Sequence, residues 1–166
     1  LHSKISFLDE TLFLDDFNVK INNSFLNGSL KVNNPVNSSK FEIIGFFENS
    51  KIISSDLISN SNSKAFDFQA FFNFTNNKIV FKDLKVFDNE NLLNASVVLS
   101  NFENNRPKQI EINFYQFNSS SNELQKTFPN IFGSILPSSL KTLGIFKSNG
   151  NIVYNNSLIR SSFDLS

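Results

Sequence analysis

Few of the 166 residues could do chemistry, and their spacing is poor for it. His2 is the only histidine and there is no cysteine, so the chain has no thiolate nucleophile and no soft ligand pair for zinc. A lone histidine at this position reads as an exposed side chain, not a base or ligand. Acidic residues group only at Asp15-Asp16 and at Asp88-Asn89-Glu90. Calcium takes carboxylate oxygens, but neither group matches a known calcium loop, and both read as solvated turns. No G-x-S-x-G elbow, phosphate loop or dinucleotide fingerprint occurs. N-x-S/T triplets such as Asn73-Phe74-Thr75 follow from the abundance of Asn and Ser. The expectation is a protein that is not an enzyme, with no metal and no cofactor.

Composition narrows the partners. Fifteen basic and fifteen acidic residues cancel to a net charge of zero. Nucleic-acid binding needs a basic surface, so no nucleic-acid partner is expected. Asn and Ser, at 27 and 25 residues, make up nearly a third of the chain, and 21 Phe dominate the apolar set. An AT-rich coding sequence accounts for most of that bias. Its physical consequence is a polar surface solvated by amides and hydroxyls more than by charge. No run of 18 apolar residues exists that could span a bilayer as a helix. A start at Leu1 and an end inside a hairpin pattern read as a segment of a longer protein.

What remains to be positioned is apolar surface, and period-two alternation positions it. Residues 17–32, FNVKINNSFLNGSLKV, set Phe17, Val19 and Ile21 against Asn18, Lys20 and Asn22, turn on Asn and Ser, and alternate again at Leu30 and Val32. This is the pattern of a β-hairpin with one apolar face. It returns at residues 84–99, with Leu84 and Val86 on its apolar face, and at residues 150–165. A β unit that recurs predicts an array of repeated hairpins, with residues 1–166 one segment of it. Asn33-Asn34-Pro35 closes the first hairpin.

Other strands follow the same rule. Residues 65–75 place Phe66, Phe68, Ala70, Phe72 and Phe74 on one face, and residues 110–114 do the same with Ile110, Ile112 and Phe114. Residues 41–47 carry apolar side chains on both faces, which predicts either cover on both sides or a bulge near Gly45. Residues 51–58 read as a weaker strand, and residues 7–13 as an edge strand or the close of an earlier unit. Only residues 120–143 lengthen the apolar period toward helical spacing. Ser120-x-x-Glu123 has capping-box spacing, and Pro129, Gly133 and Pro137 divide the stretch, so one or two short helices are expected there and nowhere else.

Residues 110–166 resemble the TamB family within the wider AsmA-like group. The likeness rests on the strand IEINF, the segment NELQKTFP, the stretch ILPSSLKTLG with its LP-x-x-L-x-x-LG spacing, and the closing GNIVYNNSLIRSSFDL. Hairpins of the FNVKINNSFLNGSLKV type are common in that family. The resemblance implies an all-β, elongated, curled antiparallel sheet, an open β-groove with an apolar trough and a polar outside. It also implies a chain anchored in the inner membrane and lying in the periplasm of a Gram-negative envelope. The implied function is to shield the acyl chains of phospholipids in lipid transport and outer-membrane assembly, with an outer-membrane barrel protein as a partner through other parts. The residues expected to line the groove are Phe17, Val19, Ile21, Leu30, Val32, Phe66, Phe68, Phe72, Phe74, Leu84, Val86, Ile110, Ile112 and Phe114. Two other readings compete. One is a β-sandwich or β-solenoid module of a surface adhesin, in which the Phe stripe packs an ordinary core. The other is a piece of an outer-membrane barrel, whose apolar residues would face outward.

Overall fold

The computed structural model describes residues 2–37, 39–57, 61–104, 106–127, 129, 144–155 and 158–166. Ten strands follow one another: β1 (His2–Leu8), β2 (Thr11–Ile21), β3 (Ser24–Asn33), β4 (Glu42–Ile53), β5 (Ala65–Thr75), β6 (Lys78–Phe87), β7 (Leu92–Glu103), β8 (Arg106–Ser120), β9 (Ile145–Asn155) and β10 (Leu158–Leu165). They pair antiparallel in sequence order to make one open sheet. Among the described residues no second sheet covers it, and β1 does not pair with β10 to close a barrel. The all-β, open-sheet expectation is therefore what the chain adopts, and a two-sheet sandwich is not.

Asn and Asp make the tight connections. Among the described residues nine that are not glycine have positive φ, and all but Glu10 are Asn or Asp, the residues whose short polar side chains tolerate the left-handed region. Asp9 and Glu10 form the β1–β2 turn, and Asn22 the β2–β3 turn. The amide-rich composition thus has a structural use beyond codon bias.

Four of these residues, Asp16, Asn49, Asp83 and Asn101, are inside strands. The first three mark bulges in β2, β4 and β6, where register shifts between Leu14 and Phe17, Phe47 and Ser50, and Phe81 and Leu84. A fourth bulge, at Tyr115 and Gln116 in β8, follows Phe114. Every even strand from β2 to β8 is bulged, with the bulges of β4 and β8 one residue pair further along than those of β2 and β6, so a staggered line of extra residues crosses the sheet. Bulges increase local twist and bend the strand, and a line of them curls the whole sheet.

The curl shows in the glycines. A Cβ built on Gly28 would lie 2.0 Å from the Phe46 carbonyl oxygen, and one on Gly45 would lie 2.6 Å from Leu30 Cδ2 and 2.9 Å from Phe72 Cε1. In a flat sheet neighbouring strands stay ~4.8 Å apart and leave room for that carbon. The face on which Gly28 and Gly45 lie is therefore concave and crowded.

Four expectations need correction. The bulge in β4 is at Glu48 and Asn49, while Gly45 itself pairs in regular register with Leu30 and Phe72. Asp15-Asp16 is a bulge and not a turn. Residues 7–13 are not one strand: Asp9 and Glu10 turn the chain from β1 into β2. Residues 51–58 continue β4 as far as Ile53 and then form a single helical turn, α1 (Ser54–Leu57), so helix is not confined to residues 120–143. The expected helix there starts as α2 (Ser121–Thr127); the LP-x-x-L-x-x-LG stretch lies outside the described residues. Of the three similar hairpins, two are β2–β3 and β6–β7. The third falls on β9–β10 but is inverted, because β9 runs opposite to β2 and β6.

Candidate functional site

The concave face is built by register. One row runs Phe7, Leu12, Val32, Ile43, Phe74, Ile79, Leu99, Ile110, Tyr154, Ile159, one apolar residue from each strand, each paired with the next. Ten strands at ~4.8 Å spacing make that row about 43 Å long. A second row beside it runs from Ile5 through Leu14, Leu30, Gly45, Phe72, Phe81, Val97 and Ile112 to Ile152, and becomes polar only at Ser161.

Beyond the bulges the rows continue. Phe17, Gly28, Phe47 and Ala70 are in line, as are Leu84, Ala95, Phe114, Gly150 and Phe163. Phe68, Val86, Leu93 and Phe117 form the next row, with Val19 opposite Leu26 at its β2 end. All fourteen residues expected to line a groove are thus on one face. Phe66 is buried near the face's end, and Ile21 is at the rim, 51% exposed. Sequence reading omitted Leu14, Ile43, Phe47, Ile79, Phe81, Val97, Leu99, Ile152 and Tyr154 from this set.

With one sheet, side chains on this face are covered by one another and, at one end of the strands, by the segments that follow β4 and β8. Phe17 is 4% exposed, Phe72 9% and Ala95 1%. Phe47 stacks on Phe72 at 4.8 Å between centroids and meets Phe17 edge-on at 5.9 Å across Gly28. Phe114 stacks on Phe163 at 5.5 Å across Gly150. The glycines leave space over their own strands that rings from both sides fill. Edge strands lack that cover: Phe7, Ile159 and Phe163 are more than half exposed.

The opposite, convex face is mainly polar and pairs its amides across strands. Glu42 accepts hydrogen bonds from Asn33 Nδ2 at 2.9 Å and Asn73 Nδ2 at 2.7 Å, which hold its carboxyl below its ordinary pKa. Asn94 donates to Gln116 at 3.1 Å, and Asn101 to Gln109 at 3.2 Å.

Helices and a loop close one end of the concave face. Asn62 N–H donates to Thr127 O at 3.0 Å, and Lys64 N–H to Ser54 Oγ at 2.9 Å, so α1 and α2 meet through residues 62–64. The α1 turn is fixed in turn by Asp56, whose carboxylate accepts from Ser24 Oγ at 2.6 Å and from Asn23 N–H at 3.0 Å. The Lys64 ammonium lies 5.7 Å above the Phe66 ring, with Asp88 Oδ2 and Glu123 Oε2 both at 2.8 Å and Glu90 Oε2 at 3.3 Å. Burial opposes the charge on Lys64, but the three carboxylates outweigh it and raise its pKa. The Ser120 capping spacing is half realised. Ser120 Oγ accepts from Glu123 N–H at 3.2 Å, while the Glu123 carboxylate turns away to Lys64 and Lys126.

Hydrogen bonds from Lys64 and then Lys126 lower the Glu123 carboxyl to about 2 from an ordinary 4.5. Burial alone would raise Asp88, but Lys64 and the amides of Glu90 and Asn91 lower it below 3.8. A carboxylate depressed on folding stabilises the native state above its unfolded pKa and loses that contribution as pH falls through its folded value. Closure by α2 is therefore expected to be intact at neutral pH and to weaken between about pH 4.5 and 2. Hydrogen exchange at α2 amides, referred to intrinsic rates, should show this, and Lys64→Met should reduce the pH dependence to the part that Lys126 and the backbone amides supply.

Among the described residues no three His, Cys, Asp or Glu side chains group to hold a metal, and no helix is long and apolar enough to cross a membrane. What the arrangement offers chemically is a long apolar trough with a polar back and helices along part of one side. No protein-family model matches the chain, and neither a curated protein nor a solved structure is significantly similar to it.

Proposed function

We propose that the concave face is a groove for the acyl chains of phospholipids, and that the protein works by shielding them from water without catalysing a reaction. The observation that carries this reading is an apolar row in register across all ten strands, flanked by further apolar rows, with no second sheet over them among the described residues. Exposing one large apolar side chain instead of burying it forfeits roughly 1.5–3 kcal/mol, so a face of this size favours an occupant. An extended peptide would bring amides that the apolar rows cannot satisfy, whereas an acyl chain brings no polar group. A chain lying along a row, across the strands, would meet apolar atoms throughout while its headgroup stayed wet at the open side. The likeness to TamB-type proteins supports the same setting: the periplasm, lipid transport toward the outer membrane, and a barrel partner reached through other parts. The sandwich form of the adhesin alternative needs a packed two-sheet core, which a single sheet does not supply.

A photocrosslinking amino acid at Phe68 tests the groove. In cells it is expected to capture phospholipid, and the same group at Phe71, on the convex face and 41% exposed, is not. Equal capture at both positions, or none at Phe68, would refute the reading.

A further inference from the structure

We propose that α2 is a gate on one side of the groove, latched by the ion pair of Glu123 with Lys64, and that it swings off the sheet to let an acyl chain reach Phe66. This rests on the groove reading above and adds how part of that groove opens. Ser119 is fully buried and donates to Asn91 Oδ1, which anchors the end of β8, and α2 starts at Ser121. The far end of α2 reaches the loop before β5. There Asn62 donates through its backbone N–H to Thr127 O at 3.0 Å, and through Nδ2 to Lys126 O. Between these ends the Glu123 carboxylate meets Lys64 at 2.8 Å, and the Lys64 ammonium lies over the Phe66 ring. The helix thus bridges from β8 to the start of β5, three strands away in the sheet. Beneath this bridge Phe66 is 8% exposed, whereas Phe74, on the same face at the other end of β5, is only half-buried.

The charges of the latch are arranged so that both its states are satisfied. When Glu123 leaves Lys64, it keeps Lys126 of its own helix at 2.9 Å. Lys64 in turn keeps Asp88 at 2.8 Å and Glu90 at 3.3 Å, both between β6 and β7. Breaking a buried ion pair is costly chiefly when it strands one partner, and here neither is stranded. The remaining ties are exchangeable as well. Of the side chains that α2 buries, Ser121, Glu123 and Thr127 are polar and Leu124 alone is apolar. The backbone bond between Asn62 and Thr127 can be replaced by bonds to water at small net cost.

An acyl chain supplies the bias between the two states. Packed against Phe66, it restores the apolar cover that the departing helix removes, so it binds the open state better than the closed one. A wall fixed by apolar packing would instead lose that packing on opening, with no second arrangement for its polar groups.

The test places a photocrosslinking amino acid at Phe66 or, separately, at Phe74, and exposes the purified protein to vesicles of phosphatidylethanolamine and phosphatidylglycerol. The chain has no cysteine, so Asn62→Cys with Thr127→Cys can lock α2 with a single disulfide, checked by mass before and after reduction. The lock is expected to abolish lipid capture at Phe66 and to leave capture at Phe74 unchanged, and reductant should restore the Phe66 signal. Glu123→Ala, which releases the latch, should raise capture at Phe66 several-fold over the parent, again without change at Phe74. This second variant decides the matter alone if the disulfide does not form. Capture at Phe74 with a Phe66 signal that is the same in the parent, locked and Glu123→Ala proteins overturns the gate and leaves the groove standing. No capture at Phe74 in any form counts against the groove itself.

Discussion

Phe72→Ala is expected to lower the unfolding free energy by about 3 kcal/mol, the low end of the range for truncating a buried Phe. The ring is 9% exposed although only one sheet is present. It stacks on Phe47 at 4.8 Å with planes 18° apart, and lies 6.2 Å from Phe81. Its Cε1 occupies the space over Gly45 where a larger residue would put its Cβ. Truncation removes the transfer free energy of the ring and about 0.5–1.5 kcal/mol for each lost aromatic pair, and an open face can relax to recover part of it. The neighbouring Phe71, 41% exposed on the convex face, is the control, and Phe71→Ala should cost under about 1 kcal/mol. Urea unfolding of both variants at constant m-value reads the difference. Equal losses would mean that the two faces are alike, contrary to the burial seen here.

The same pair of residues shows how much of the fold can be read from sequence. Alternation in residues 65–75 separates Phe72 from Phe71 directly, because β5 carries no bulge of its own. Strand β5 therefore falls where period two places it, and its Phe face is the buried one. In β2, β4, β6 and β8 the alternation changes phase inside the strand, so reading from one end misassigns the other. Leu14-Asp15-Asp16-Phe17 and Phe81-Lys82-Asp83-Leu84 put two polar residues between two apolar residues of the same face. A hairpin traced outward from its turn stops at that break, which is why Leu14, Ile79 and Phe81 were missed while Phe17, Leu84 and Val86 were not. The signal was available: an apolar–polar–polar–apolar step with Asn or Asp as its second polar residue is the mark of a bulge with a left-handed residue. The end closure was legible only in part. Ser120-x-x-Glu123 located the start of α2, but nothing local says that Glu123 meets a lysine 59 residues earlier. Nor does a four-residue helix such as α1 carry a period long enough to detect.

The phase break also leads to the second large effect. Deleting Lys82 and Asp83 together removes both polar residues that separate Phe81 from Leu84 at the β6 bulge, where the φ of Asp83 is 50°. Side chains alternate with a period of two, so Leu84, now directly after Phe81, falls on the opposite face. If Ile79 and Phe81 keep their places against Phe74 and Phe72, Leu84 and Val86 swing to the convex face, and Lys85 takes the concave place opposite Ala95. If Leu84 and Val86 keep theirs, Ile79 and Phe81 are lost instead. Either way two apolar side chains leave the concave face, for a loss of at least about 3 kcal/mol, and the curl imposed by that bulge goes with them. Asp83→Gly separates the bulge from the aspartate. Glycine adopts positive φ without strain, so the bulge survives and stability should stay within about 1 kcal/mol of the parent. The expected pattern in urea unfolding is a near-neutral glycine variant and a severely destabilised or unfolded deletion. A deletion as stable as the parent would show that β6 can slip freely, and that the row of bulges does not set which residues line the groove.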